Sequence, residues 1–201
     1  MSGLPKVGVA IWTVPGWGAS RRGVGVMNLL LDAVPSETHE ALRRLGRLAD
    51  DIDWPYEVAR REGWRAANKE YHREQRASGR REMQSLMGVL NLVRPIDAVV
   101  ARNLVIAAAD VYLHTDERRM VSRIKNAELR LYGTRCPLYD HFLDPRWRGL
   151  TACGCFARRR GWYDALGVDV EEDLLMNKKW GDPVCHLAVR FKQKQCAKLA
   201  A

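Results

Sequence analysis

The stretch AELRLYG, Ala127–Gly133, is where the hydrophobic period of the chain changes. Ala127, Leu129 and Leu131 alternate with Glu128, Arg130 and Tyr132, which is the period-two pattern of an antiparallel strand with one wet face. Upstream, apolar residues recur every three or four positions instead. Ser36 is a candidate N-cap, followed by a stripe of Ala41, Leu42, Leu45, Leu48, Ala49 and Ile52. Pro55 fits the first turn of a second helix through Trp64 and Tyr71 to about Ser78, where Gly79 is expected to end it. A shorter helix follows near Arg81–Leu92, with Met83, Leu86, Met87 and Leu90 facing inward. Pro95 then opens the most apolar helix, to about His114.

Downstream of Gly133, TRCPLYDHFLDPRWRG reads as a loop or short helix after Pro137, and TACGCFARRRGWYDALG as a helix ending at a Gly167 C-cap. Two further strands, Val168–Lys179 and Val184–Lys192, are joined by WGDP. In the last strand Cys185, Leu187, Val189 and Phe191 alternate with His186, Ala188 and Arg190, so a half-buried strand turns the thiol inward and the imidazole outward. The fold class expected is α+β, a helical N-terminal half packed on a C-terminal antiparallel sheet with one or two helices. The chain divides into an N-terminal arm (1–34), a helical region (35–126), an α/β catalytic or ligand-binding region (127–194) that packs as one unit with the helices, and a tail (195–201).

The 201 residues suffice for one good-sized core, and 47% apolar with 28% charged residues is ordinary for a folded soluble protein. The five cysteines, Cys136, Cys153, Cys155, Cys185 and Cys196, are too few and too unevenly spaced for a disulfide scaffold. The opening MSGLPKVGVAIWTVPGWG is a poor match to a secretory signal, and a reducing cytoplasm is the expected compartment. The longest apolar run, Ile96 to Leu113, carries Asp97, Arg102, Asn103 and Asp110, which argues for a buried helix and against a membrane span. The net charge of +9 raises the question of nucleic acid. The basic residues alternate with acids along the helices, however, as a solvated face does, and no nucleic-acid motif accompanies them. A small carboxylate-bearing molecule is the anionic partner expected. GWGASRRGVGV lacks the third glycine and the strand-to-helix frame of a dinucleotide loop, and no cofactor is expected. An arm packed over the body is its expected role.

The chemistry-bearing residues gather in the second half: Cys136, Asp140 and His141, then Cys153 and Cys155, then Asp182, Cys185 and His186. Thiols and imidazoles titrate or attack near neutral pH, so their clustering suggests a site. Metal binding is weakly signalled, because the close pair is C-G-C and not the two-residue-spaced knuckle that lets both thiolates reach one zinc ion. Covalent or acid-base catalysis is the other use. For each single cysteine, a small buried apolar residue is the competing interpretation. Most of the tryptophans read as aromatic packing, although Trp180, beside the WGDP turn, is a candidate to contact a flat substrate.

The ordered set CPLYDHF (Cys136–Phe142), CGCFARRRGWYDALG (Cys153–Gly167) and GDPVCHLAVRF (Gly181–Phe191) resembles the L-2-amino-thiazoline-4-carboxylic acid hydrolase family. That family has a Cys-Pro element, a cysteine-led helix and a Gly-Asp-x-x-Cys step into its last strand, in this order. The resemblance covers roughly residues 127 to 192. It implies hydrolysis of a carbon–nitrogen bond in a small cyclic amidine or cysteine-derived amino acid, in natural-product metabolism or related ring chemistry. By position it matches Cys136, Cys153, Asp182 and Cys185, and it leaves Cys155 as an extra. His186 stands where the family usually has an acidic or other polar residue. On an enzyme reading the roles expected are Cys185 as nucleophile, Cys153 at the pocket wall, Asp182 for orientation or proton transfer, and His141 or His186 as general base, His141 being the better one if His186 faces away from Cys185. Cys136, Asp140 and Trp180 would then contact substrate. A Cys185→Ala protein is expected to fold and to lose turnover. More distantly, the chain resembles the vinyl-reductase small-ligand domain, whose zinc-holding members place a cysteine where this sequence has Asn177. That resemblance implies a non-catalytic ligand-binding module as the alternative.

Overall fold

The fold was established from a computed structural model that describes residues 34–48, 53–94, 96–113, 119–125, 128–136, 145–151 and 153–192. The arm, the tail, Asp140, His141, Cys196, Trp12 and Trp17 lie outside these described residues. Four helices, α1 (Ser36–Leu48), α2 (Asp53–Glu62), α3 (Trp64–Val89) and α4 (Ala98–Tyr112), precede a hairpin of β1 (Arg119–Lys125) and β2 (Glu128–Arg135). A 3-10 turn (Pro145–Trp147), α5 (Gly154–Leu166), β3 (Val170–Met176), a second 3-10 turn (Lys178–Trp180) and β4 (Cys185–Phe191) complete the chain. The strands form one antiparallel sheet in the order β1-β2-β4-β3. This is the expected α+β architecture.

The period-two reading holds in β2; in β4 Leu187 and Val189 face the core as expected, but Ala188, expected on the outer face, is buried as well. Leu129, Leu131 and Gly133 are buried while Glu128, Arg130 and Tyr132 are half-buried. Leu131 pairs across with Leu187 and Leu129 with Val189, so the two strands share one apolar face. That face joins α3, α4 and α5 in the main core, through Met83, Leu86, Leu104, Ala108, Trp162 and Leu166. The other face is wet and ionic: the Arg190 guanidinium meets Glu128 at 2.9 Å, Glu171 at 3.5 Å and also Asp173. The sheet starts earlier than AELRLYG suggests. β1 is an edge strand, and RMVSRIK does not alternate cleanly enough to announce itself.

Gly79 does not end a helix. α3 runs through it from Trp64 to Val89, and the break that does occur is at Gly63, whose φ of 84° an L side chain rarely adopts. The reason for Gly79 is packing: a Cβ built there would lie 1.9 Å from the carbonyl oxygen of Arg158 on α5. Gly161 on α5 answers it, since its Cβ would lie 2.1 Å from the carbonyl oxygen of Arg76. The two helices therefore touch backbone to backbone. The apolar helix α4 starts at Ala98, later than Pro95, because the Asp97 side chain caps it by accepting from the N–H groups of Val99 and Val100 at 2.8 and 2.9 Å. Among the described residues, no helix is long and apolar enough to cross a membrane.

In the run RRR at 158–160, Arg158 and Arg159 are wholly buried. Arg158 pairs with Glu82 of α3, which is equally buried. Glu82 also accepts from the Trp162 indole at 2.8 Å, and Arg158 donates to the Gly46 carbonyl at 3.0 Å. Tyr112 donates its hydroxyl to the Glu82 backbone carbonyl at 2.8 Å, so α1, α3, α4 and α5 meet at one buried ion pair.

Candidate functional site

Four thiols approach one another at the end of the sheet, brought there by three separate segments. Cys136 follows the last residue of β2, Cys153 and Cys155 begin α5, and Cys185 begins β4 opposite Gly133 of β2. All four are free thiols. Cys153 occupies the N-cap position of α5 and makes no side-chain capping hydrogen bond. Its neighbour Gly154 is required by the approach of α3, because a Cβ there would lie 2.4 Å from the Tyr71 hydroxyl. Cys136 packs on the aromatic cluster of Tyr71, Trp147 and Leu150 that flanks this corner.

The electrostatics of the cluster centre on Arg159. Its Nε donates to Glu172 at 2.7 Å, while both terminal nitrogens are buried without a hydrogen-bond partner. Glu172 lies on the core-facing side of β3 and also accepts from the Tyr163 hydroxyl at 3.0 Å, with Arg160 at 3.7 Å. Burial, reinforced by the Glu172 carboxylate, pushes that tyrosine hydroxyl well above its ordinary range. The Cys153 thiol is pushed well up, first by the hydrogen bond it donates to Cys155, then by burial and by the charges of Cys155 and Cys136; Arg159 opposes this. Cys185 is pushed up by burial, partly offset by a hydrogen bond from the Lys178 backbone N–H. Its sulfur donates to Asn177 Oδ1 at 3.8 Å.

The 177–182 turn carries this last arrangement. Asp182 Oδ2 accepts from the Asn177 N–H at 2.7 Å, and Asn177 Oδ1 accepts from the Lys179 N–H at 2.9 Å, closing the turn at Gly181 with a φ of 95°. Asp182 thus holds Asn177 in place, and Asn177 meets Cys185. Lys179 donates to the carbonyls of Leu150 and Thr151 at 3.3 and 2.8 Å, and burial lowers its ammonium pKa while the nearby Cys153 opposes the shift. Trp180 is 68% exposed at the tip of the turn.

His186 lies on the opposite face from Cys185, paired across with Tyr132 and stacked on it at 4.3 Å. The irregularity in this part of the sheet falls on β3, between Leu174 and Met176, so β4 keeps its alternation. Burial, then the charge of Arg130, depresses the imidazole pKa, with Glu128 opposing, and Nε2 is buried with no hydrogen-bond partner. A base with a lowered folded-state pKa resists protonation in the native state while the unfolded chain binds the proton readily. Its contribution is therefore complete above about pH 6.5 and is lost as the pH falls below that, toward the depressed value. Wild type should lose more melting temperature than His186→Gln between about pH 7 and 5, bracketing the ordinary imidazole value. Parallel losses would refute this assignment.

Of the residues singled out by sequence, the structure brings together Cys136, Cys153 and Cys185, links Asp182 to them through Asn177, and separates His186 from them. Asp140 and His141 fall outside the described residues. Arg159, Glu172 and Lys179 were not legible as site residues, and Cys155, noted in the sequence as an extra cysteine, was left without a role. The spacing of Cys155 and Arg159, one helical turn apart, was the available signal, masked by the basic run around it. Among the described residues, no group of three or more His, Cys, Asp and Glu side chains is arranged to hold a metal ion. No family model matches the chain, and no curated protein does. Among solved structures, an H-NOX protein from S. oneidensis in its Fe(II)NO ligation state is similar over 61% of this chain and 66% of its own length, at 12% identity and a TM-score of 0.35, a likeness too weak to carry an argument.

Proposed function

We propose that the protein is a hydrolase-like enzyme acting on a carbon–nitrogen bond of a small cyclic amidine or cysteine-derived amino acid, by cysteine-assisted chemistry. The observation that supports this is the gathering of thiols from three segments around a buried guanidinium with two unpaired nitrogens. Thiolate nucleophiles occur in electropositive settings of this kind, and Arg159, Lys178 and Lys179 supply the charge. In the proposed step a thiolate forms a carbon–sulfur bond to the amidine carbon, and the carbon–nitrogen π pair moves to nitrogen, which takes a proton. Collapse breaks one carbon–nitrogen bond and releases an amine. Water then adds to the enzyme-bound carbon and displaces the thiolate. A carboxylate on the substrate suits the same basic surroundings.

The test is turnover of cyclic amidine carboxylates by the purified protein, followed by release of the amine. Replacing the nucleophilic cysteine should leave a folded protein and reduce turnover by on the order of a thousandfold or more. Full activity in each of Cys153→Ser, Cys155→Ser and Cys185→Ala would refute cysteine chemistry. A second reading, a ligand-binding module without turnover, is favoured by the upward shift of the Cys153 and Cys185 thiols, which keeps both protonated. Alkylation with and without the amidine separates the two: a fast thiol protected by substrate supports the enzyme, while inert thiols and a metal found by elemental analysis support the module.

A further inference from the structure

We propose that Cys155 is the reacting thiol of this site, held as a thiolate by the buried Arg159 guanidinium one helical turn away and by a hydrogen bond from Cys153. This rests on the cysteine-centred reading above and names the atom at its centre, which the sequence reading placed at Cys185.

Cys155 is the second residue of α5, and its first-turn N–H groups receive no side-chain cap from Cys153. The positive end of the helix therefore faces the sulfur, and negative charge is stabilised there. Arg159 lies four residues on, and a long helical side chain leans back toward the N-terminus, which directs the guanidinium at the same turn. Glu172 engages only its Nε, and that carboxylate is shared with Arg160 and Tyr163. The two terminal nitrogens remain buried without a hydrogen-bond partner, with the guanidinium 4.7 Å from the centre of the Phe156 ring. A buried cation left in that state is costly, and a neutral thiol is a weak acceptor. A thiolate is a strong one, so ionising Cys155 supplies what Arg159 lacks.

The neighbouring thiols have other roles. Cys153 spends its proton as a donor to Cys155, and Cys185 spends its proton on Asn177 Oδ1. Two thiols are thus held as donors around a third.

The experiment is a pH titration of thiolate ultraviolet absorbance on the full-length protein, with iodoacetamide labelling located by peptide mass spectrometry. Wild type should show an early thiolate step that is absent in Cys155→Ser, retained in Cys185→Ser and moved to higher pH in Cys153→Ala, which removes the donor. In wild type, Cys155, the buried one of the four thiols, should still be alkylated faster than Cys153 or Cys185, because the thiolate is the reacting form. A step that survives Cys155→Ser, or Cys185 labelled ahead of Cys155, overturns the proposal. The labelling order is read in the unmutated protein, so a variant that fails to fold does not blunt the test. The two readings also fail separately: Cys155 confirmed as the early thiolate without amidine turnover removes the hydrolase and keeps the thiolate. Turnover retained by Cys155→Ser and lost by Cys185→Ser does the reverse.

Discussion

Gly161→Ala is expected to destabilise the protein by about 3 kcal/mol, at the upper end of the cost of overpacking a close-packed core. The added Cβ would meet the Arg76 carbonyl oxygen at 2.1 Å and the Arg80 nitrogen at 2.8 Å, and both are backbone atoms of α3 that no rotamer change can move. Relief requires the helices to separate, which would expose the core beneath Trp162 and Met83. Gly79→Ala should behave alike, with its Cβ 1.9 Å from the Arg158 oxygen. At about 2–4 °C per kcal/mol for a chain of this size, each should lower the melting temperature by roughly 10 °C. Gly88 provides the control. It is an exposed glycine of the same helix with nothing within 4 Å of its added Cβ, so Gly88→Ala should stabilise by about 0.5–1 kcal/mol through helix propensity alone. A Gly161→Ala protein that melts with the wild type would refute the backbone-contact account.

Glu82→Gln should cost about 3–5 kcal/mol, the range for breaking a fully buried ion pair by removing one partner. Glu82 and Arg158 both have 0% side-chain exposure. Glu82 accepts from Arg158 Nε at 2.9 Å and Trp162 Nε1 at 2.8 Å, so the amide would leave the guanidinium charge without a counter-ion and orient one NH2 group against these donors. The effect is specific to breaking the pair. A double replacement, Glu82→Leu with Arg158→Met, should be less destabilised than Glu82→Leu alone, because no charge then remains buried. Asp164 provides the surface comparison. It accepts from Arg76 at 2.7 and 2.9 Å and from Arg80 at 2.9 Å, but both arginines are about half exposed, and Asp164→Asn should cost no more than about 1 kcal/mol. Chemical denaturation of the four variants checks the ranking, and a Glu82→Gln loss below that of Asp164→Asn would contradict it.

The same two features mark where reading the chain residue by residue stops working. Gly79 looks like a helix terminator because glycine is a poor helix residue, and the competing demand, a second helix arriving at backbone distance, comes from a segment about eighty positions away. The run RRR at 158–160 carries no local sign of burial. Arg158 and Arg159 are buried because Glu82 and Glu172, on two other elements, neutralise them. Glu172 itself stands on the inner face of β3, where alternation predicts an apolar residue, and only its partner Arg159 accounts for it.

What the sequence determined by itself is what depends on local period and end signals. The change of period at AELRLYG marks β2, though not β1 before it; the alternation around Cys185 puts that thiol and His186 on opposite faces; Gly167, at a φ of 69°, ends α5. These follow from side-chain direction and backbone sterics within a few residues. Tertiary structure alone decided that Arg159 is buried against Glu172 and why two helices carry glycine at their crossing. Both depend on distances between segments remote in the chain, and no local pattern encodes them.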